Sequence, residues 1–153
     1  MTGGLLSAER FADVFPREGI RLVQRAHDKW DALHQAAALL IELGAVSPEY
    51  EGAMRSREEQ ISTYMGEGVA IPHGTNEGRA FIKRTTIGLL QYPEGVDWDG
   101  EVVRLVIPIA AAGEEQIELL SSIALLLLEA DEVKALQDAT HVEQVMEIIS
   151  RPR

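Results

Sequence analysis

The sequence predicts an α/β domain in which helices flank a mixed β-sheet. Three observations point there. Apolar residues recur at helical spacing in two blocks, one between Asp28 and Gly44 and one from Glu114 onward. Between the blocks lie short strand-like runs, of which residues 102–109 are almost continuously apolar, as a central buried strand is. No repeat, low-complexity tract or linker divides the 153 residues. That length favours one domain, spanning 1–153, and it buries a core without metal or disulfide staples.

Each element follows in chain order. Residues 1–17 have weak periodicity and read as a loosely docked N-terminal arm. Residues 19–24 alternate and predict a first strand. Asp28 is placed to cap a helix whose apolar positions are Leu33, Ala36, Ala37, Leu40 and Ile41, and Gly44 ends it. Ser47 and Pro48 open a second helix as cap and first helical residue, running to Arg57 or Glu59. Residues 61–79 hold Gly66, Gly68, Pro72, Gly74 and Gly78, so most of that stretch reads as irregular backbone. Short strands are expected at 69–71 and near 80–83, and better ones at 85–91 and 102–109. From Glu114, residues Ile117, Leu120, Ile123, Ala124, Leu127 and Leu128 share a helical face. Asp131 is read as the cap of a short helix to about Gln137. The run Thr140-His141-Val142-Glu143 reads as a capping box for a last helix with Val142, Val145, Met146 and Ile149 apolar.

Composition narrows the function. Lys plus Arg number 14 and Asp plus Glu 25, for a net charge of −11. Such a surface repels phosphate backbones and anionic lipid, so nucleic acid and membrane surfaces are poor partners. With no cysteine, disulfides, thiol chemistry and thiolate metal sites are excluded. The N-terminus lacks the basic start and apolar run of a signal peptide. The longest uncharged apolar stretch, between Glu118 and Glu129, falls short of the roughly 20 residues that span a bilayer. The chain reads as a soluble, cytoplasmic protein.

The four histidines differ in their surroundings. His27, His34 and His141 read as surface or boundary residues, and their spacing forms no metal motif. His73 stands in Gly66-Glu67-Gly68-Val69-Ala70-Ile71-Pro72-His73-Gly74-Thr75. Pro72 stiffens the backbone before it, and Gly74 leaves room for another molecule. A neutral imidazole is a nucleophile near pH 7 without an assisting base. A histidine that merely fixes a turn fits the same spacing. Arg57 has two readings as well: a guanidinium fork for phosphoryl oxygens, or a helix-end arginine facing the C-terminal dipole. The glycines of 66–78 form no Walker loop, and Asp97, Asp99 and Glu101 read as the solvated rim of a hairpin-like turn. Ser121 and Ser122 lie inside an apolar helix, and the leucines of 125–128 read as core.

Taken together, Ser56-Arg57-Glu58 and the run from Tyr64 to Thr75 resemble the phosphohistidine motif of enzyme IIA proteins. These belong to the bacterial phosphoenolpyruvate-dependent sugar phosphotransferase system, and the resemblance is to the mannitol/fructose class. Gln91-Tyr92-Pro93-Glu94-Gly95-Val96 and Arg104-Leu105-Val106-Ile107-Pro108-Ile109-Ala110-Ala111 resemble its mannitol branch. The likeness covers about residues 10–150.

The resemblance implies a fold of mixed sheet and flanking helices. It implies a phosphotransferase component in which His73 accepts phosphate from phospho-HPr, on Nε2 with Nδ1–H held by a hydrogen bond. His73 would then pass it to an enzyme IIB, for uptake of mannitol or a related polyol by a membrane enzyme IIC. Arg57 matches the arginine that stabilises the transferring group, and Glu67 matches the motif glutamate as a supporting residue. Backbone N–H groups near Gly74 and Thr75 are expected to assist, with Val69 and Ile71 walling off water. Neither metal nor cofactor is implied. Where mannitol-type members carry a second, supporting histidine, this chain has Gln116, whose amide donates a hydrogen bond but never becomes cationic. The alternative is a phosphorylation-gated regulatory module of the nitrogen-related branch of the same fold. An acidic rim would favour a basic donor and make the encounter salt-sensitive.

Overall fold

The structure, a computed structural model, describes residues 7–152. Its centre is a five-stranded mixed sheet built from Ile20–Arg21 (β1), Tyr64–Gly66 (β2), Val69–Ala70 (β3), Leu89–Trp98 (β5) and Glu101–Val106 (β6), in the order β1-β5-β6-β3-β2. β5 and β6 form an antiparallel hairpin, whereas β1 lies parallel to β5 and β3 parallel to β6. Thr86–Ile87 (β4) and Ile109–Ala110 (β7) pair separately as an antiparallel ribbon.

Helices cover both faces. Lys29–Glu42 (α2) and Tyr50–Gln60 (α3) pack on one side, over Ala70, Leu90, Tyr92, Trp98 and Val106. Ala8–Asp13 (α1), Gly113–Leu127 (α4), Ala130–Asp138 (α5) and Val142–Ile149 (α6) pack on the other, over Val69, Ile71, Leu89 and Leu105. The alternation Val69, Ala70, Ile71 therefore feeds two cores from one strand. At the start of the β3–β6 pairing, Arg104 and Leu105 N–H both donate to Gly68 O. Among the described residues no helix is long and apolar enough to cross a membrane.

Local chemistry explains most boundaries. Asp28 accepts from Asp31 N–H and caps α2, and Gly44, at φ +72°, follows its end. α3 begins later than expected, at Tyr50, because 48–49 form a turn first, with Tyr50 N donating to Ser47 O. The cap of α5 is Glu129 rather than Asp131, which lies inside the first turn. The last helix is capped one residue later than its motif suggested: Gln144 Oε1 accepts from the backbone N–H of Thr140 and His141, and His141 is the cap residue.

Four expectations change more. Residues 7–17 are packed rather than loose, since Phe11, Val14 and Phe15 are buried in the α1–α6 core; the rest of the expected arm lies outside the described residues. The strand expected near 80–83 is a 3₁₀ turn over Asn76–Phe81, where Gly78 sits so close to Ala53 of α3 that a Cβ would meet it at 2.5 Å. The strand expected over 85–91 breaks at Gly88, which is pressed against Leu39 of α2. The strand expected over 102–109 breaks at Pro108, which has no N–H for a ladder.

Candidate functional site

The site gathers at the C-terminal turn of α3, the end of β3 and the start of β7. His73 follows β3 through Ile71 and Pro72 and bridges in parallel to Ile109. It is only 6% exposed. Its Nδ1 lies 2.8 Å from Ile71 O, which accepts a proton and nothing else, so Nδ1 carries the hydrogen and Nε2 the lone pair. Burial pushes the imidazole below its usual pKa, and the Arg57 charge adds to this, against the Ile71 hydrogen bond and the Glu58 charge. His73 thus presents an oriented imidazole whose burial favours the neutral ring.

Tyr50, the first residue of α3, pins this loop. Its hydroxyl accepts from Gly74 N–H at 2.9 Å and donates to Ile109 O at 2.9 Å. Burial pushes the phenol up to about 12, so the bridge keeps its proton. A Cβ on Gly74 would meet the Tyr50 ring at 2.6 Å, which is why glycine is required there. Of the backbone N–H groups expected to assist near Gly74 and Thr75, that of Gly74 is engaged by Tyr50 in this structure. The Thr75 N–H has no protein acceptor among the described residues.

Arg57 and Glu58 grip the turn after α3 from opposite sides. Arg57 Nη1 donates to Ile61 O at 2.6 Å, leaving its other N–H groups directed elsewhere, and its charge reaches the His73 imidazole. Glu58 points inward, with a fully buried side chain. Its carboxylate accepts from Thr63 N–H (3.1 and 3.2 Å), Thr63 Oγ1 (2.5 Å) and Trp98 Nε1 (3.1 Å), and pairs with Lys29 Nζ at 3.3 Å. Lys29 also binds Asp99 at 2.8 Å and lies 4.9 Å from the Trp30 ring centre. Burial opposes the Lys29 charge, but the two carboxylates outweigh it and raise its pKa. A cation in the first turn of a helix runs against the dipole, and this buried pair accounts for it.

The remaining expected residues separate. Thr75 and Gln116 line one cleft of about 510 Å³ with Asn76, Arg79, Ala112 and Gly113, next to His73 in the chain. Glu67 occupies the β2–β3 turn with φ +56° and an exposed side chain. Its carbonyl is held by Gln137 Nε2 at 2.9 Å, and its carboxylate is absent from the charges that shift His73. The Glu58 charge, on α3, is the carboxylate that acts on the His73 imidazole. Val69 and Ile71 are buried beside the histidine. His34 pairs with Glu51 at the surface, His27 is exposed, and His141 is a helix cap.

Sequence reasoning assigned no role to Glu58, Thr63, Lys29, Tyr50 or Arg79. One signal was present: Tyr50, Met54 and Glu58 recur every four residues, and they are the buried residues of α3.

Comparison with known proteins shows which family the chain belongs to. Residues 13–151 match the family described as phosphoenolpyruvate-dependent sugar phosphotransferase system, EIIA 2. The mannitol-specific phosphotransferase enzyme IIA component of Staphylococcus aureus is 39% identical over 137 residues, covering 90% of this chain and 95% of that protein. Enzyme IIA mannitol of Escherichia coli, solved in complex with phosphorylated enzyme IIB mannitol, superposes with a TM-score of 0.83 at 37% identity, covering 88% of this chain and 97% of that one. The nitrogen regulatory protein IIA-Ntr of Neisseria meningitidis gives 0.77 at 27% identity, covering 92% and 99%. The chain belongs to the EIIA 2 family of the phosphoenolpyruvate-dependent sugar phosphotransferase system.

Proposed function

We propose that this chain is a cytoplasmic phosphoryl carrier. His73 accepts a phosphoryl group from phospho-HPr and hands it to an enzyme IIB, in the uptake of mannitol or a related polyol through a membrane enzyme IIC. The observation that carries the reading is the 2.8 Å contact from Nδ1 to Ile71 O, which leaves Nε2 as the free lone pair. Higher identity and TM-score to mannitol enzymes IIA than to the nitrogen regulatory protein favour the carrier over the regulatory alternative.

The chemistry needs no proton transfer. The Nε2 lone pair forms a bond to phosphorus as the bond to the donor's ring nitrogen breaks, and that ring leaves with the electron pair. The His73 ring then holds positive charge with Nδ1–H still on Ile71 O, which stabilises it as a charge-assisted hydrogen bond. In transfer to enzyme IIB, the acceptor's nucleophile bonds to phosphorus as the Nε2–P bond breaks, and the His73 ring leaves with the electron pair as a neutral imidazole. Equatorial oxygens carry the developing charge, and positioned donors provide the stabilisation. Here these are the free N–H groups of Arg57, the Thr75 N–H and the Gln116 amide. Near-complete burial of the ring slows attack by water on the phosphohistidine.

The test is phosphorylation with phosphoenolpyruvate, enzyme I and HPr, read by intact mass in mild base. One phosphoryl group is expected, absent from His73→Ala and discharged when enzyme IIB is added. An unmodified mass on a folded sample rejects the carrier.

A further inference from the structure

We infer that Glu58 is a positioning residue for the His73 imidazole, acting through Thr63 and Ile71. Three hydrogen-bonded links run in series. Thr63 N–H and Oγ1–H donate to the Glu58 carboxylate, Ile71 N–H donates to Thr63 O at 3.0 Å, and His73 Nδ1–H donates to Ile71 O. Each link fixes the acceptor of the next, and the last acceptor selects the tautomer. Glu58 is held in turn by Trp98 Nε1 and by Lys29, so the chain ends in two further elements, β5 and α2.

The arrangement has a second consequence. Arg57 and Glu58 are consecutive, and both grip the turn at 61–63, one through Ile61 O and one through Thr63. Release of Thr63 would loosen the seat of both the nucleophile and the guanidinium. The Glu58 charge also acts on the His73 imidazole, favouring its cationic form. A fixed negative charge behind the ring favours the cationic ring that phosphorylation creates. Burying the Glu58 carboxylate with zero exposure against Lys29 is otherwise unfavourable, since hydrophobic residues of the same volume pack as well.

The functional half rests on the phosphoryl-carrier reading; the tautomer half does not. Nitrogen-15 spectra of the imidazole report the tautomer directly, with His73→Ala assigning the signal. The wild type is expected to show Nδ1–H and a bare Nε2. Glu58→Leu should populate the other tautomer and slow phosphoryl uptake by about tenfold or more. Glu58→Gln keeps an oxygen for Thr63 and should restore the tautomer and most of the rate. Leu40→Ala is a cavity in the same helical layer, and should lose stability while keeping both. A folded Glu58→Leu protein with one tautomer and wild-type uptake overturns the proposal, as does the same tautomer shift in Leu40→Ala. Should Glu58→Leu not fold, Thr63→Val removes only the hydroxyl donor; a partial shift supports the chain and none overturns it. If wild-type protein takes up no phosphate, the carrier reading fails while the tautomer comparison still decides.

Discussion

His73 lies between two unlike environments. Beneath it, every polar group is matched: Tyr50 joins Gly74 to Ile109, and Glu58 joins Thr63, Trp98 and Lys29. No buried side-chain nitrogen or oxygen among the described residues lacks a partner. Beside it, the cleft of Thr75, Arg79 and Gln116 is open and polar. The contrast separates two tasks of a carrier. One side holds the ring in a single orientation and protonation state. On the proposed function, the other would meet a partner that differs between loading and unloading, which an open polar cleft accommodates better than a closed socket.

Arg57 stands at the boundary, and removing it should have the largest effect on the open side. Arg57→Ala is expected to slow phosphoryl uptake by about 100-fold, the scale of losing one preorganised donor to a transferring group. Stability should change by less than about 1 kcal/mol, because the hydrogen bond lost to Ile61 O is exposed. The same variant removes one of two influences that hold His73 low. In the wild type the ring stays neutral below the ordinary histidine range, so uptake persists as pH falls through about 6.5. In the variant the midpoint should move up, and activity should fall at a higher pH. A rate profile from pH 8 to 5 reads both effects. An unchanged midpoint would mean that burial alone sets the titration.

Tyr50→Phe breaks the closed side with one atom. Gly74 N–H and Ile109 C=O would lose their shared partner while the ring still fills its space. Leaving such groups unpaired costs about 1–3 kcal/mol, measurable by urea unfolding. A loss of stability larger than the loss of transfer rate would confirm that this side acts by holding. The opposite ranking would place Tyr50 among the groups that meet phosphate.

Much of the frame was legible in sequence, and the reasons are local. α2 announces itself through Asp28, its four-residue periodicity and Gly44, all read within one helix. β2 and the far half of β5 were hidden, since β2 is a three-residue edge strand and β5 carries Pro93, Gly95 and a register shift. The site divides in the same way. His73 and Arg57 stand in a recognisable run, but Gly74 looked like a free donor because its partner, Tyr50, is 24 residues away. Lys29 and Asp99, 70 residues apart, meet only after the sheet forms. Glu58 was within reach, on the face marked by Tyr50 and Met54, although a charged residue there reads as solvated until its partners are known.

Gln116 offers the smallest and most discriminating test of the open side. It lies in the first turn of α4, half-buried in the cleft, and its amide donates without charge. A neutral donor adds about 0.5–1.5 kcal/mol, so Gln116→Ala should slow uptake roughly two- to tenfold. Gln116→His supplies a donor that becomes cationic near pH 6.5. Its rate should match the parent at pH 8 and exceed it at pH 6, where the new charge faces phosphoryl oxygens. The pH dependence is the informative part. A gain that grows on acidification places residue 116 against the transferring group, whereas a flat ratio places it with the surface that receives the partner protein.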